Sequence, residues 1–305
     1  VELLFVAHQA SREAPLMVFT QGSVAADVLS CQPTGGSVAH GGVWGCIGVL
    51  RKEHATRHVA QVDMVAPCRC TPADSSATVN AIRAAADSQE VDVAVRGGVR
   101  LLPRLRLRDT PSTLSLKTSS TETLRGPVAI TGGLGGLGMR LAPWLLSRGV
   151  RSIALFSRSG TLARDASQPG HGGVLPVQGD YPSATVDVLC GDATHASDVL
   201  ASTGILSPMH GWLHLSDVLR PQRTNEVSTA NFLLELAPKA VGASRLHACT
   251  LERPLNVCVS ASSVASFGGV GTAAYSSGNA YVNGLAAWST ARGRRASAVV
   301  LPLLK

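Results

Sequence analysis

The feature that most constrains the fold is a glycine cluster between an apolar strand and a helix. Val128-Ala129-Ile130 is predicted to be a buried strand, and it runs directly into the stretch Thr131–Gly138. There, Gly133, Gly135 and Gly138 have the spacing that lets a backbone turn tightly and approach a pyrophosphate at a helix N-terminus. This context favours a dinucleotide site, with a glycine-rich turn without a ligand as the alternative. The predicted contacts are Thr131, Gly132, Gly133, Gly135, Gly136, Leu137 and Gly138.

The residues after the second predicted strand select between the two nicotinamide dinucleotides. A carboxylate about 20 residues past the loop would bind the ribose hydroxyls of NAD, but Ser157 and Arg158 stand there instead. A guanidinium can pair with a 2′-phosphate, so NADPH is the predicted cofactor. The alternative is that Arg158 is one more surface arginine. Asp192 follows the third predicted strand and could bind the adenine amine, although such an aspartate is more often a helix cap.

Strands and helices alternate along residues 126–305. Further strands are predicted at Ser152–Phe156, Val186–Leu189, Gly211–Leu215, Leu255–Val259 and Ala298–Leu301. Helices are predicted at Met139–Leu146, Phe232–Leu246 and Ala274–Arg292. This alternation predicts an α/β fold with a doubly wound parallel sheet of the Rossmann type.

Residues 1–125 are predicted to form a separate, smaller unit. Short strands are expected at Leu3–Val6, Leu16–Phe19, Gln61–Met64, Val91–Arg96 and Leu101–Leu107. One helix is expected to begin near Gly41 and another to span Ala77–Ala86. Residues 109–125 are rich in Ser, Thr and Pro, which is typical of a linker. We therefore expect two domains, at residues 1–125 and 126–305.

Composition excludes several classes of protein. With 45% hydrophobic and 15% charged residues, the chain is not of the disordered class. No apolar run of membrane-spanning length occurs. The net charge of +7 accompanies only 4% aromatic residues, which disfavours nucleic-acid binding.

The seven cysteines match neither a disulfide framework nor a zinc site, so reduced thiols and no metal are expected. The start, without Met or a basic region, predicts a fragment of a longer protein.

A group of polar residues near the fifth strand and the last helix is the candidate catalytic machinery. Ser263 follows that predicted strand, and Tyr275 and Asn279 share a helix face because positions i and i+4 are neighbours. A phenol can protonate a carbonyl, but its pKa of about 10 makes it slow at neutral pH without a nearby ammonium. Lys239 is the only lysine between Lys117 and Lys305. We expect it to fold back toward Tyr275, with a solvated helix lysine as the alternative.

On these stretches the chain resembles the ketoreductase domain of a modular polyketide synthase, which is similar in turn to that of animal-type fatty acid synthase. The matching stretches are Thr131–Gly138, Ser157-Arg158, Gly211–His214, Ala237–Ala243, Ser262–Ala265 and Tyr275–Asn283. The first half resembles the truncated Rossmann-like structural subdomain that precedes the catalytic one in that family. Its matching residues are Val43-Trp44-Gly45, Arg51, Glu53, Val93–Gly98 and Arg104-Leu105. The resemblance also implies that the catalytic subdomain is truncated at its C-terminus.

The resemblance implies a reaction and its participants. NADPH would deliver hydride to the β-keto carbon of an acyl chain held on an acyl carrier protein. Tyr275 would protonate the oxygen and Ser263 would hold it by a hydrogen bond. Lys239 would lower the pKa of the phenol, and Asn279 would support a proton-relay water. Neighbouring domains of a megasynthase, a cytoplasmic location and no membrane partner are also expected.

Two alternatives remain open. One is a catalytically silent, structural ketoreductase-like domain of a megasynthase. The other is a stand-alone short-chain reductase, which the position of Lys239 upstream of the Tyr275–Asn279 pair disfavours.

Overall fold

The computed structural model of the chain describes residues 15–21, 38, 40–65, 76, 79–80, 82–84, 90–96, 99–104, 126–163 and 179–302. The chain divides into two compact units. The first comprises Val1–Arg104, Val218–Ala240 and Ala261–Lys305, and the second comprises Leu105–Asp217 and Val241–Ser260. Each unit therefore draws on separate stretches, whereas the sequence predicted one division at residue 125. The predicted linker at residues 109–125 lies outside the described residues.

The first unit contains a four-stranded sheet with the order β1-β2-β3-β4. The strands are β1 Leu16–Gln21, β2 Val59–Val65, β3 Asp92–Arg96 and β4 Val99–Leu101. The first three are parallel, and β4 returns antiparallel to β3. Helix α1, Gly41–Glu53, contributes Ile47 and Leu50 to a core with Val18 and Val59. The strands predicted at Leu16–Phe19, Gln61–Met64 and Val91–Arg96 and the helix near Gly41 are present, and the described residues of the helix predicted at Ala77–Ala86 are helical. The strand predicted at Leu101–Leu107 is wrong over its described part, because β4 ends at Leu101 and residues 102–104 lie in no strand. The strand predicted at Leu3–Val6 lies outside the described residues.

The second unit contains a parallel sheet. Its strands are β5 Val128–Thr131, β6 Ser152–Ser157, β7 Thr185–Cys190, β8 Gly211–His214 and the first part of β9 Val257–Ser263. They are hydrogen-bonded in the order β9-β8-β5-β6-β7, and each neighbouring pair is parallel. The carboxyl ends of these strands therefore meet at one edge of the sheet.

Helices cover both faces of this sheet. They are α2 Gly136–Ser147, α3 Ala196–Ile205 and α4 Thr229–Cys249. Because successive residues of a strand point to opposite faces, Ile130 packs in one core with Met139 of α2. Its neighbour Ala129 packs in the other core with Val199 of α3 and Leu246 of α4. A parallel sheet with helices on both faces confirms the predicted Rossmann-type fold class.

The last elements are α5 Ala273–Thr290 and β10 Ser297–Leu301, both in the first unit. Helix α1 packs closely on α5 through glycines. A Cβ on Gly45 would lie 2.1 Å from the carbonyl oxygen of Ser276, and one on Gly42 would lie 3.1 Å from that of Ser277. Only glycine lets two backbones approach this closely, so α1 contacts α5 directly at the first turns of that helix.

The predicted end of the fifth strand is wrong. Ser263 was expected to follow the fifth strand, but β9 continues through Ser262 and Ser263. The prediction ended the strand where its apolar residues end. The strand has a neighbouring strand on each side, so its backbone pairing does not depend on apolar side chains. The buried hydroxyl of Ser262 is satisfied, because it donates a hydrogen bond to the carbonyl of Asn279 at 3.2 Å.

Two further predictions concern membranes and cysteines. Within the described part of the chain, no helix combines the length and the apolar character needed to cross a membrane. The cysteines of that part form no disulfide, namely Cys46, Cys190, Cys249 and Cys258. Burial is the main cause that raises the pKa of Cys46 to about 11, so this thiol is protonated at neutral pH. Cys68 and Cys70, the only close pair in the sequence, lie outside the described residues.

Candidate active site

Steric constraints explain the glycines of the loop between β5 and α2. Gly132 has a φ of +68°, a backbone conformation that favours glycine. A Cβ on Gly133 would lie 2.7 Å from the carbonyl oxygen of Ile130, and one on Gly138 would lie 2.4 Å from that of Gly133. Gly135 differs, because a Cβ there would meet only the carbonyl oxygen of Gly132, at 3.2 Å. The glycines at 132, 133 and 138 therefore allow the loop to pack, whereas a side chain at Gly135 would contact a single backbone atom.

The N-terminus of α2 is not neutralised by a side chain of the helix. Its N-cap is Gly135, which provides no side-chain hydrogen bond, and its first turn contains no acidic residue. A helix N-terminus has a partial positive charge and N–H groups without partners inside the helix. The glycine loop and this positive helix end therefore fit a pyrophosphate.

Thr131 is the last residue of β5 and the first of the glycine loop, and its side chain contacts the neighbouring strand β8. Its hydroxyl lies 2.7 Å from Nδ1 of His214, at the end of β8, and both side chains are buried. Gly242 of α4 leaves room for this imidazole, since a Cβ there would lie 2.9 Å from Cε1 of His214. The Thr131 side chain therefore links two strands at the edge where the glycine loop begins. No pattern in the sequence marks this pairing.

Ser157, Arg158 and Asp192 lie at the same edge of the sheet. Ser157 ends β6 and is paired with Cys190, the last residue of β7. Arg158 is exposed and makes no hydrogen bond or ion pair with any residue that the structure describes. The Asp192 carboxylate accepts a hydrogen bond from the N–H of Thr194 at 2.8 Å, in the turn that leads to α3. Arg158 is thus available to an anion, while Asp192 also stabilises its own turn.

Lys239, in the first unit, is buried rather than solvated. Only 3% of it is exposed, and its Nζ donates a hydrogen bond to the carbonyl of Ala261 at 3.1 Å. Its side chain also packs against α5, because a Cβ on Gly278 would lie 3.0 Å from Cβ of Lys239. This position does not fit a solvated helix lysine. It places the lysine stem against the helix that contains Tyr275 and Asn279.

Asn279 and Tyr275 are linked along one face of α5. The side-chain N–H of Asn279 donates to the carbonyl of Tyr275 at 2.8 Å. The side-chain oxygen of Asn279 is buried and has no hydrogen-bond partner among the described residues. An unsatisfied buried polar atom costs about 1–3 kcal/mol. The oxygen is therefore well placed to accept a hydrogen bond from a bound water or ligand.

The two serines at the end of β9 have different partners. Ser262 is buried and hydrogen-bonded to α5, whereas Ser263 is half-buried. The two side chains differ because successive residues of a strand point to opposite faces of the sheet. The oxygen of Ser263 accepts a hydrogen bond from the N–H of Ala265 at 3.2 Å and caps a short 3-10 helix, Val264–Phe267. That is the turn-cap role a serine would have by itself. This bond uses the oxygen of Ser263 only as an acceptor. The hydroxyl hydrogen can rotate about the C–O bond and be donated to another group.

The first unit thus brings Lys239, Ala261 and Asn279 together around the start of α5. Sequence reasoning missed Ala261, because its contribution is a backbone carbonyl and no side-chain pattern marks it. The glycine loop, Arg158 and Asp192 belong to the second unit.

Two family models match the chain. The KR domain model matches residues 126–305, and the Rossmann fold domain of the polyketide synthase extender module SpnB matches residues 4–105. The chain belongs to the KR domain family. These ketoreductase domains are parts of polyketide synthases, so the membership confirms the resemblance that the sequence motifs predicted.

Individual relatives agree with this membership. The ketoreductase PlmKR1 from the first module of phoslactomycin biosynthesis in Streptomyces sp. HK803 is 27% identical, with a TM-score of 0.79 over 98% of this chain and 67% of that chain. The reducing polyketide synthase DEP5 of Alternaria brassicicola is 32% identical over 57% of this chain and 7% of its own length. The 6-methylsalicylic acid synthase of Aspergillus niger is 32% identical over 67% of this chain and 12% of its own length. The ketoreductase domain therefore spans only a small part of these synthases.

Proposed function

We propose that this ketoreductase domain uses NADPH to reduce a β-ketoacyl group, held on an acyl carrier protein, to a β-hydroxyacyl group during polyketide biosynthesis. The observation that carries the proposal is the burial of Lys239 against α5, the helix that contains Tyr275 and Asn279. Burying an ammonium costs free energy. A lysine in this position, in a member of the KR domain family, is therefore best explained by a role in proton transfer.

The second unit would bind the cofactor. The glycine loop and the N-terminus of α2 would hold the pyrophosphate, with the 2′-phosphate on Arg158 and the adenine amine on Asp192. A charge-assisted guanidinium–phosphate contact is stronger than a neutral hydrogen bond, and no carboxylate occupies the position of Arg158 to favour NAD. NADPH supplies the hydride when it is bound.

The first unit would supply the proton. The phenol of Tyr275 would donate it to the substrate oxygen, and the free hydroxyl proton of Ser263 would hold that oxygen. The ammonium of Lys239 would favour the ionised phenol and so make Tyr275 a better acid. The unpartnered oxygen of Asn279 would hold a water that returns the proton to Tyr275.

The test is turnover by the purified full chain with NADPH and a β-ketoacyl thioester, first on a small thiol and then on an acyl carrier protein. We expect one NADPH oxidised per β-hydroxyacyl product, measured by absorbance and mass spectrometry. The matched control is the same thioester without the keto group. A silent structural domain would leave the keto group of the β-ketoacyl thioester unreduced and would oxidise no more NADPH than in the control.

A further inference from the structure

Glu53, the last residue of α1, bridges two segments of the first unit that are distant in sequence. One carboxylate oxygen, Oε2, accepts hydrogen bonds from the backbone N–H of Thr224 at 2.8 Å and from its hydroxyl at 2.6 Å. The other oxygen, Oε1, accepts a hydrogen bond from the N–H of Gly271 at 2.7 Å. Each oxygen is thus committed to a different segment.

The two segments also contact each other. The N–H of Gln222 donates to the carbonyl of Gly271 at 2.8 Å, and Gln222 and Thr272 form a parallel β-bridge. Gly271 lies four residues before Tyr275, in the connection that joins Ser263 to α5. One carboxylate therefore holds this connection and the Thr224 segment in a common arrangement.

The residue beside Glu53 holds the same connection at a second point. Lys52 donates a hydrogen bond from Nζ to the carbonyl of Gly268 at 2.5 Å. Gly268 and Gly271 have φ values of +92° and +75°, so the connection turns sharply at both of the points that α1 holds. The end of α1 thus contacts the connection at its two glycine turns.

The chemistry of the three donors explains why the bridge is a carboxylate. The two N–H groups and the hydroxyl all present hydrogens to Glu53, and an ionised carboxylate is an acceptor at both oxygens. A glutamine of the same shape would turn an NH₂ group, which is also a donor, toward one segment. The side chain of Glu53 can therefore hold both segments only as a carboxylate.

We infer that Glu53 is a positioning residue for the reduction. It sets where α5 begins and hence where Tyr275 stands relative to Ser263. The inference rests on the proposed function, because it assigns Glu53 a role in that reaction. Misplacement of a catalytic group by about 1 Å can cost on the order of 100-fold in rate.

The test compares Glu53→Gln with Glu226→Gln in the full chain. Glu226 is an exposed carboxylate two residues after Thr224, and it provides the matched control. For Glu53→Gln we expect kcat for a β-ketoacyl thioester to fall by about 10- to 100-fold, with unchanged NADPH affinity. Amide hydrogen exchange at Thr224 or Gly271 should become faster. Glu226→Gln should match the parent protein in all of these measurements.

Thr224→Val is the milder second variant, because it removes only one of the hydrogen bonds to Glu53 and keeps the shape of the side chain. It should lower kcat less than Glu53→Gln does and keep the melting temperature close to that of the parent. A folded Glu53→Gln protein with a kcat within about twofold of the parent overturns the inference, whatever its exchange rates. So does a loss of kcat that is matched by equal losses of NADPH affinity and thermal stability.

Failure of the proposed function would look different. In that case the parent protein itself would not reduce the thioester, and Glu53 would have no role in that reaction. The exchange rates would still show whether Glu53 holds the two segments.

Discussion

In the second unit, the residues proposed to hold the pyrophosphate occupy consecutive positions, Thr131–Gly138. In the first unit, the polar groups near the start of α5 come from separate stretches of chain, those of Lys239 and of Ala261–Ser263, together with α5 itself. The loop is maintained by short-range backbone packing. The first-unit group depends on side chains that reach backbone atoms many residues away, as Lys239 reaches the carbonyl of Ala261.

This difference has a physical consequence. A local loop keeps its shape as long as its own glycines are present, because its constraints are steric and lie within a few residues. A group assembled from distant segments keeps its geometry only if the helices and turns that hold each segment are in place. We therefore expect substitutions in the first unit to change turnover, and substitutions around the loop to change cofactor affinity, largely independently of each other.

The largest expected effect is that of Tyr275→Phe, which removes the proton and keeps the ring. Turnover of a β-ketoacyl thioester should fall by about 100- to 10,000-fold, the usual contribution of a general acid. NADPH affinity, measured by fluorescence titration, should be unchanged. Tyr281→Phe on the same helix is the control and should remain active; substantial activity in Tyr275→Phe would show that another group is the acid.

Lys239→Met sharpens the comparison, because it removes the ammonium and keeps much of the buried stem. If Lys239 acts on Tyr275 as proposed, the phenol would be a weaker acid without this positive charge, and turnover should fall by about 10- to 100-fold. Arg245→Met removes an exposed cation from the same helix and should leave kcat at the parent level. Equal rates in steady-state assays of the Lys239→Met and parent proteins would contradict the role given to Lys239.

Arg158→Ala tests the second unit by itself. The loss of a charge-assisted contact should weaken NADPH binding by about 1–3 kcal/mol and leave NADH binding almost unchanged. Arg151→Ala provides the control, since this exposed arginine just before β6 donates a hydrogen bond to Ser183. Titration of both dinucleotides measures the effect, and equal affinities for them in the parent protein would refute NADPH selectivity.

The smallest expected effect concerns acid stability. Burial by itself would raise the pKa of Glu53, but hydrogen bonds from Thr224 and Gly271 and the charge of His54 outweigh it and hold the pKa below its ordinary value of 4.5. A lowered pKa in the folded state stabilises the protein above pH 4.5, and this stability is lost as the pH falls below that value. Urea unfolding at acid pH should show a shallower pH dependence in Glu53→Gln. An unchanged slope would mean that the carboxylate is not ionised in the fold.

The predicted elements of the second unit were recognisable because their signals are local. Apolar runs such as Ile153–Leu155 predict buried strands, and the glycine spacing predicts a turn into a helix. Helix ends were less accurate: α2 starts at Gly136 rather than Met139, because its first turn consists of the same glycines that form the loop. The strand that ends at Ser263 was shortened in the prediction, because the hydrogen bond that satisfies Ser262 comes from a helix later in the chain.

The candidate site could be predicted in its residue types but not in its contacts. The i, i+4 spacing of Tyr275 and Asn279 follows from helix geometry alone. Lys239 is buried because its side chain packs against Gly278, where α4 and α5 meet in the first unit. No spacing in the sequence determines how these two helices pack. Glu53 entered the sequence analysis only as part of a resemblance, since its partners are two backbone N–H groups and one hydroxyl.

By itself, the sequence determined the alternation of strands and helices, the glycine loop and the arginine at the end of β6, because these depend on backbone sterics and charge within a few residues. Tertiary structure alone decided that Lys239 is buried, that Ser262 rather than Ser263 bonds to α5, and that Glu53 joins the Thr224 segment to the turn before Tyr275. The physical reason is that each of these contacts ends on a backbone atom of a distant segment. Every residue type carries the same backbone groups, so only the folded chain shows which of them a side chain meets.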